Sequence, residues 1–244
     1  MFKYLLPLSK LPGLVLLVVL PVLAFSRPNM AKDKAEHRGY ENGVRTDTLP
    51  SFVISWGYKC YIVLLQIIAI IEAYIVVSQE YPSLAHDGIL SVLAPAGQMT
   101  RIRVTNTFFV GLILYIGGAA LRRKCYQALG SNFTFEITIR KGHTLCTDGP
   151  YAVVRHPSYT AVFLCAVAEV LCHFGPGSWW AECGLRETLV GWAILVMVVA
   201  FATVAVMGVF KRAKVEDALL EKEFGDQWVQ WAGKTRYATI PFVF

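Results

Sequence analysis

The stretch GPYAVVRHPSY, residues 149–159, gathers an arginine, a histidine, a serine and two tyrosines around two prolines. Pro157 biases His156 out of the helical region and is itself suited to the first turn of a following helix. Arg155, His156 and Ser158 therefore collect at a predicted helix N-terminus, where free N–H groups and the helix dipole favour an anion. A second polar stretch lies near the C-terminus. Arg212 and Glu216 are four residues apart, and the same spacing leads on from Glu216 to Leu220 and joins Phe224 to Trp228. Residues four apart share a helix face, whereas a solvated charge run lies opposite the apolar stripe. The spacing thus turns Arg212 and Glu216 inward. Two plainer readings stay open at this point: a basic anchor at lipid headgroups for the first stretch, and a surface ion pair for the second. Arg before Glu is the poorer order for such a pair.

The elements that must position these residues are apolar. The 244-residue chain is 55% hydrophobic and 16% charged, less charged than an ordinary soluble domain. Its apolar residues are clustered into runs at 4–25, 52–77, 107–121, 159–174 and 188–210, several of which approach the roughly 20 residues needed to cross a bilayer core. The first run, interrupted by Pro7, Pro12 and Pro21, suits a span or a signal peptide and is read as a span. The second carries Lys59 near one end, placed to snorkel, and Glu72, assigned to helix packing or to a place near the interface. The third holds Gly111, Gly117 and Gly118, small residues that let membrane helices approach closely. Segments 26–50 and 79–105 read as loops. The expected fold is all-α: a polytopic membrane helical bundle of about five transmembrane helices, followed by a cytosolic C-terminal amphipathic helix.

The sidedness comes from charge. Segments 26–50, 122–157 and 211–244 carry 5, 6 and 6 Lys/Arg, whereas the first ten residues, 79–105 and 174–187 carry 2, 2 and 1. Five spans alternate these segments between two sides, and the basic excess assigns the first set, with both polar stretches, to the cytosol. The sequon Asn132-Phe133-Thr134 then faces away from the glycosylation machinery and is expected to stay unmodified. The net charge of +6 flanks the apolar runs. It forms no basic stripe with interleaved aromatics, so nucleic acid is not an expected partner. The six cysteines include no C-x-x-C pair, so no metal site is expected.

Residues 143–159, HTLCTDGPYAVVRHPSY, and 212–242, RAKVEDALLEKEFGDQWVQWAGKTRYATIPF, resemble the isoprenylcysteine carboxyl methyltransferase family. The resemblance covers about 121–244 and rests on R-H-P-x-Y, R-x-x-x-E-[ED], F-G and I-P-F in family order. It implies an endoplasmic reticulum membrane enzyme that methylates the C-terminal carboxylate of prenylated CaaX-type proteins with S-adenosyl-L-methionine as cofactor. Its partners would be the isoprenylcysteine ends of those proteins and membrane lipid. It divides the chain into an N-terminal transmembrane region, 1–105, without a matched motif, and a methyltransferase core, 106–244, with three spans. Carried over, the cofactor contacts fall on His143, Thr144, Leu145, Cys146, Tyr151, Arg155, His156, Pro157, Ser158 and Glu216, and Arg212 holds the substrate carboxylate. Ala161 stands where the family often has glycine, Asp217 where it often has glutamate, and 135–142 departs from the pattern.

The chemistry agrees with the residue types. A C-terminal carboxylate, with a pKa of about 3.5, is ionised at neutral pH, so its methylation needs no general base and the sequence offers no nucleophile–base pair. Three other readings are weighed: a phospholipid N-methyltransferase, a sterol-reductase-like enzyme, whose Trp-Trp motif is expected upstream whereas Trp179-Trp180 lie downstream here, and a membrane scaffold with a decayed site.

Overall fold

The computed structural model describes residues 7–25, 51–94, 102–133 and 143–241. Among them there are helices and connecting segments and no strand. A short 3-10 turn, Pro7–Lys10, leads into α1 (Leu11–Phe25). There follow α2 (Ser51–Glu80), α3 (Asp87–Leu93) and α4 (Asn106–Leu129), then α5 (Pro157–Phe174), α6 (Leu189–Phe224) and α7 (Asp226–Lys234). The expected loop 26–50, Thr134 of the sequon, segment 135–142 and Phe242 of the I-P-F motif lie outside the described residues.

Four segments are long and apolar enough to cross a membrane: Pro7–Phe25, Trp56–Glu80, Pro157–Glu182 and Leu189–Phe224. The chain is thus an all-helical protein with multiple potential spans. The third expected span is also a helix, but it is not one of the four. The apolar run 107–121 gives way to Arg122, Arg123 and Lys124, yet α4 continues to Leu129 and stops only at Gly130, whose φ of 51° suits a glycine. Arg122 therefore lies on a helix wall, 8% exposed, rather than in the loop the charges suggested. The expected loop 79–105 contains a short 3-10 turn at Pro82–Leu84 and α3.

Side-chain caps fix where the long helices begin. The Thr105 hydroxyl accepts from the N–H of Phe108 at the start of α4, and that of Thr188 accepts from Gly191 at the start of α6. Helices α4 and α5 pack closely because glycine allows it. A Cβ on Gly111 would stand 2.6 Å from Cys172 Sγ, and one on Gly118 2.8 Å from Cys165 Sγ. Leu14 and Leu17 of α1 bury against Phe108 and Tyr115 of α4. Deep in the bundle, Glu169 of α5 accepts from the hydroxyls of Tyr61 on α2 (2.6 Å) and Tyr115 on α4 (3.4 Å), joining three helices.

The helix ends alternate as the charge count requires. At one end the rings of Phe25 (α1) and Tyr58 (α2) lie 5.7 Å apart, and the C-terminus of α4, the N-terminus of α5 and the polar part of α6 gather there. At the other end Lys10 pairs with Glu72, both fully buried. Lys10 Nζ also donates to Gly177 O (2.8 Å), and Glu72 accepts from the N–H of Trp179 (3.0 Å). Buried charge is costly unless paired and hydrogen-bonded, so this cluster fixes α1 against α2 and the α5–α6 connection. Glu72 has the packing role expected of it.

Candidate active site

Backbone hydrogen bonds bring the two polar stretches together. The N–H groups of Arg155 and His156 donate to the carbonyls of Tyr237 (2.9 Å) and Ala238 (2.7 Å). Trp231 Nε1 donates to Tyr151 O at 3.2 Å, and the Thr160 hydroxyl to Thr239 O at 2.5 Å. The tail after α6 thus lies along residues 151–160. Gly225, with φ of 51°, ends α6 and lets α7 turn back. The inward row of Arg212, Glu216, Leu220 and Phe224 is continuous on α6, but the continuation to Trp228 on one helix does not hold, because Trp228 belongs to α7.

Pro157 occupies the first turn of α5 and His156 precedes it in a non-helical conformation, as the sequence requires. The Arg155 guanidinium is largely committed. Its Nε and Nη2 grip the Asp217 carboxylate at 3.1 and 3.0 Å, and Nη1 donates to the carbonyls of Thr235 (3.0 Å) and Arg236 (2.7 Å). His156 lies between two carboxylates, with Nε2 2.9 Å from Asp217 and Nδ1 3.3 Å from Glu216. Both ring nitrogens must donate to satisfy that arrangement, which defines the imidazolium. Burial of the ring opposes its charge, but the hydrogen bonds to Asp217 and Glu216 prevail and hold its pKa above the ordinary value of 6.5. Glu216 also accepts from Arg212 Nε at 2.8 Å and from the Tyr159 hydroxyl at 2.5 Å, and the Tyr159 ring stacks on His156 at 5.5 Å.

These groups surround a cavity of about 290 Å³. Of the expected contacts, His143, Leu145, Cys146 and Tyr151 line it from the loop side, Arg155, His156 and Ser158 from the head of α5, and Arg212 and Glu216 from α6. Thr144 and Pro157 do not line it. Thr144 receives Asn132 Nδ2 on its hydroxyl at 3.0 Å, and Pro157 is buried in the first turn of α5.

Sequence reasoning missed several groups. Tyr159 and Trp231 line the cavity and Asp217 orders it. Two were within reach, since Tyr159 ends the R-H-P-x-Y motif and Asp217 adjoins Glu216. Arg122 carried no signal, being one of three consecutive basic residues. In the structure it lines the cavity, and its Nη1 donates to the Ser158 hydroxyl at 2.7 Å. Its guanidinium carbon stands 4.6 Å above the Phe25 ring and 5.1 Å from that of Tyr126, and its buried Nε has no hydrogen-bond partner. Among the described residues no carboxylate pairs with it. Val162 and Val209 form an apolar wall between α5 and α6.

Fold and site together define a helical protein of membrane-crossing character, with a cavity lined by charged groups beside an apolar wall. Residues 111–222 match the family model described as the isoprenylcysteine carboxyl methyltransferase (ICMT) family, in agreement with the resemblance carried by the motifs. The protein-S-isoprenylcysteine O-methyltransferase B of Arabidopsis thaliana is 29% identical over 135 residues, 54% of this chain and 58% of that protein. The Homo sapiens protein-S-isoprenylcysteine O-methyltransferase is 28% identical over 149 residues, 60% of this chain and 43% of that protein. A probable protein-S-isoprenylcysteine O-methyltransferase of Oryza sativa subsp. japonica is 28% identical over 137 residues, 55% of this chain and 61% of that protein. The chain thus spans about half the length of the curated relatives it matches. The matched segment includes most of α4, all of α5 and nearly all of α6, which carry Arg122, Arg212 and Glu216, and the 143–156 stretch that leads into α5. Helices α1, α2 and α7 lie outside it.

Proposed function

We propose that this chain methylates the C-terminal isoprenylcysteine carboxylate of prenylated CaaX-type proteins, with S-adenosyl-L-methionine as donor, in the endoplasmic reticulum membrane and with its site toward the cytosol. In this reading residues 106–244 form the methyltransferase core and 1–105 an N-terminal transmembrane region. One observation carries it: the two stretches that bear the family's motifs, more than fifty residues apart in sequence, close around a single cavity at one end of an apolar bundle.

The residues suit the donor. It brings a cationic sulfonium, an ammonium and a carboxylate, and the cavity offers both signs of charge. A carboxylate has about four acceptor positions. Glu216 has three of them engaged by Arg212, Tyr159 and His156, so it stands rigid with one left for a cationic or hydroxyl group. His143, Leu145, Cys146 and Tyr151 supply the loop wall, with Thr144 and Pro157 outside the lining. When bound, the donor supplies an electrophilic methyl group.

The acceptor carboxylate arrives ionised, so the chain removes no proton. Its task is alignment, which in ideal cases lowers a barrier by roughly 7–11 kcal/mol. Arg212 and Arg122 both line the cavity, and a guanidinium can hold a carboxylate through two parallel N–H donors. Val162 and Val209 give the isoprenoid an apolar surface in the cavity wall. Phospholipid N-methylation is less well served. It requires an ammonium to lose its proton first, whereas the two acids of the site, Glu216 and Asp217, are engaged by cations.

The test is direct. Microsomes containing the full chain, supplied with methyl-labelled S-adenosylmethionine and acetyl-farnesylcysteine, are expected to form a base-labile methyl ester. Label appearing only in phospholipid, or no label at all, overturns the proposal.

A further inference from the structure

Three guanidiniums line the cavity, and they are held in different ways. Arg155 is gripped by Asp217 and Arg212 is paired with Glu216. Arg122 is 8% exposed, yet among the described residues it has no acidic partner. A buried cation without compensation is costly. Here the compensation is aromatic: the guanidinium lies 4.6 Å from the Phe25 ring centre and 5.1 Å from that of Tyr126, both within the reach of a cation–π attraction.

The difference matters for ligand binding. A carboxylate partner would saturate the donor fork and cancel the charge. A ring attracts the cation through its face and takes none of the in-plane N–H groups. With Nη1 given to Ser158 and Nε buried, the guanidinium keeps its charge, and Nη2, unengaged among the described residues, is the donor left for a ligand in the cavity.

We propose that Phe25 and Tyr126 form an aromatic collar that holds Arg122 in the cavity wall with its charge intact, making Phe25 a positioning residue for the acceptor carboxylate; this rests on the methyl-transfer reading above. Phe25 comes from α1, outside the family-matched segment. It is itself fixed, 5.7 Å from the ring of Tyr58 on α2. Its helix is anchored at the far end by the buried Lys10–Glu72 pair and along its length by Leu14 and Leu17. The bundle thereby sets the last turn of α1 over the guanidinium. A region of the chain with no motif of its own supplies part of the site.

The experiment uses the full chain in microsomal membranes. Rates are measured against acetyl-farnesylcysteine at saturating S-adenosylmethionine, and against S-adenosylmethionine at saturating acceptor, for wild type, Phe25→Leu, Phe25→Trp and Tyr126→Leu. Leucine keeps most of the volume and removes the π face; tryptophan keeps the face. Phe25→Leu and Tyr126→Leu are each expected to raise the acceptor KM roughly 3- to 30-fold, the range a cation–π contact spans, with the cofactor KM unchanged. Phe25→Trp is expected to restore the acceptor KM. An unchanged acceptor KM in both leucine variants, a parallel rise in both KM values, or no rescue by tryptophan overturns the collar. Tyr126→Leu leaves α1 untouched and decides the matter if Phe25→Leu loses its thermal transition. If the wild-type chain forms no methyl ester, the functional reading falls and takes the collar with it. If it forms ester and the leucine variants match it, the collar alone falls.

Discussion

His156 is the group on which the site's charges converge, and its protonation is a measurable property. Both of its nitrogens face carboxylates, and its pKa is raised above 6.5 because the hydrogen bonds to Asp217 and Glu216 outweigh the cost of burial. Between 6.5 and the raised value the folded protein keeps a proton that the unfolded chain releases, so stability falls as pH rises through that window. The contribution is complete below about pH 6.5 and is lost above the folded-state value. In detergent, the wild-type thermal midpoint is therefore expected to decline from pH 6.5 toward alkaline pH, and His156→Gln is expected to lack that part of the decline. Identical profiles for the two proteins would refute the assignment. Arg155 shows where residue-level reading of the sequence stops. Its type and its place at a helix N-terminus were legible and pointed to an anion. That the anion is Asp217 of the same chain, with two tail carbonyls completing the set, depends on a tertiary contact across sixty residues that no local spacing encodes.

The elements were legible wherever hydrophobic runs were long. The runs at 52–77 and 159–174 lie within helices, the run at 188–210 does so from Leu189 onward, and the Pro157 start of α5 was read from one dipeptide. What failed were boundaries set by something other than hydropathy. Helix α4 passes through its basic triplet because three charged residues with good helix propensity do not end a helix; the glycine after them does. That misreading also hid Arg122. Of the three glycines of α4 read as contact points, Gly111 and Gly118 are such points and Gly117 is not, a difference that can be tested. A Cβ on Gly111 would come 2.6 Å from Cys172 Sγ and 3.2 Å from the Ala168 carbonyl, whereas one on Gly117 meets nothing within 4 Å. Gly111→Val is expected to destabilise the protein by about 1–3 kcal/mol through overpacking and to reduce activity, since α4 and α5 both carry residues that line the cavity. Gly117→Ala is expected to leave both unchanged. Thermal unfolding and methyl-ester formation on the two variants separate these outcomes, and equal effects would mean that close approach of α4 and α5 is not what the glycines provide.

For the molecule as a whole, sidedness decides whether the site can work. The contacts at the two ends of the bundle put residues 122–133, 143–157 and 211–241 at one end, opposite the Lys10–Glu72 end. The basic excess selects which face that is. By the alternation expected from the sequence, the segments 26–50, 122–157 and 211–244 carry 17 Lys/Arg against 5 in the other set, and positive charge is retained in the cytosol. In the proposed orientation Asn132 lies on the cytosolic side and is expected to stay free of sugar; its amide donates to the Thr144 hydroxyl at 3.0 Å. A glycosylation tag appended to the C-terminus is expected to remain unmodified, whereas the same tag inserted at Arg186, on the opposite end, is expected to gain sugar. Endoglycosidase-sensitive mobility shifts read both results in one experiment. The reverse pattern would put the cavity on the lumenal face, away from the cytosolic side on which the proposed donor and the prenylated chain ends must arrive, and methyl transfer at this site would have no route to its reactants.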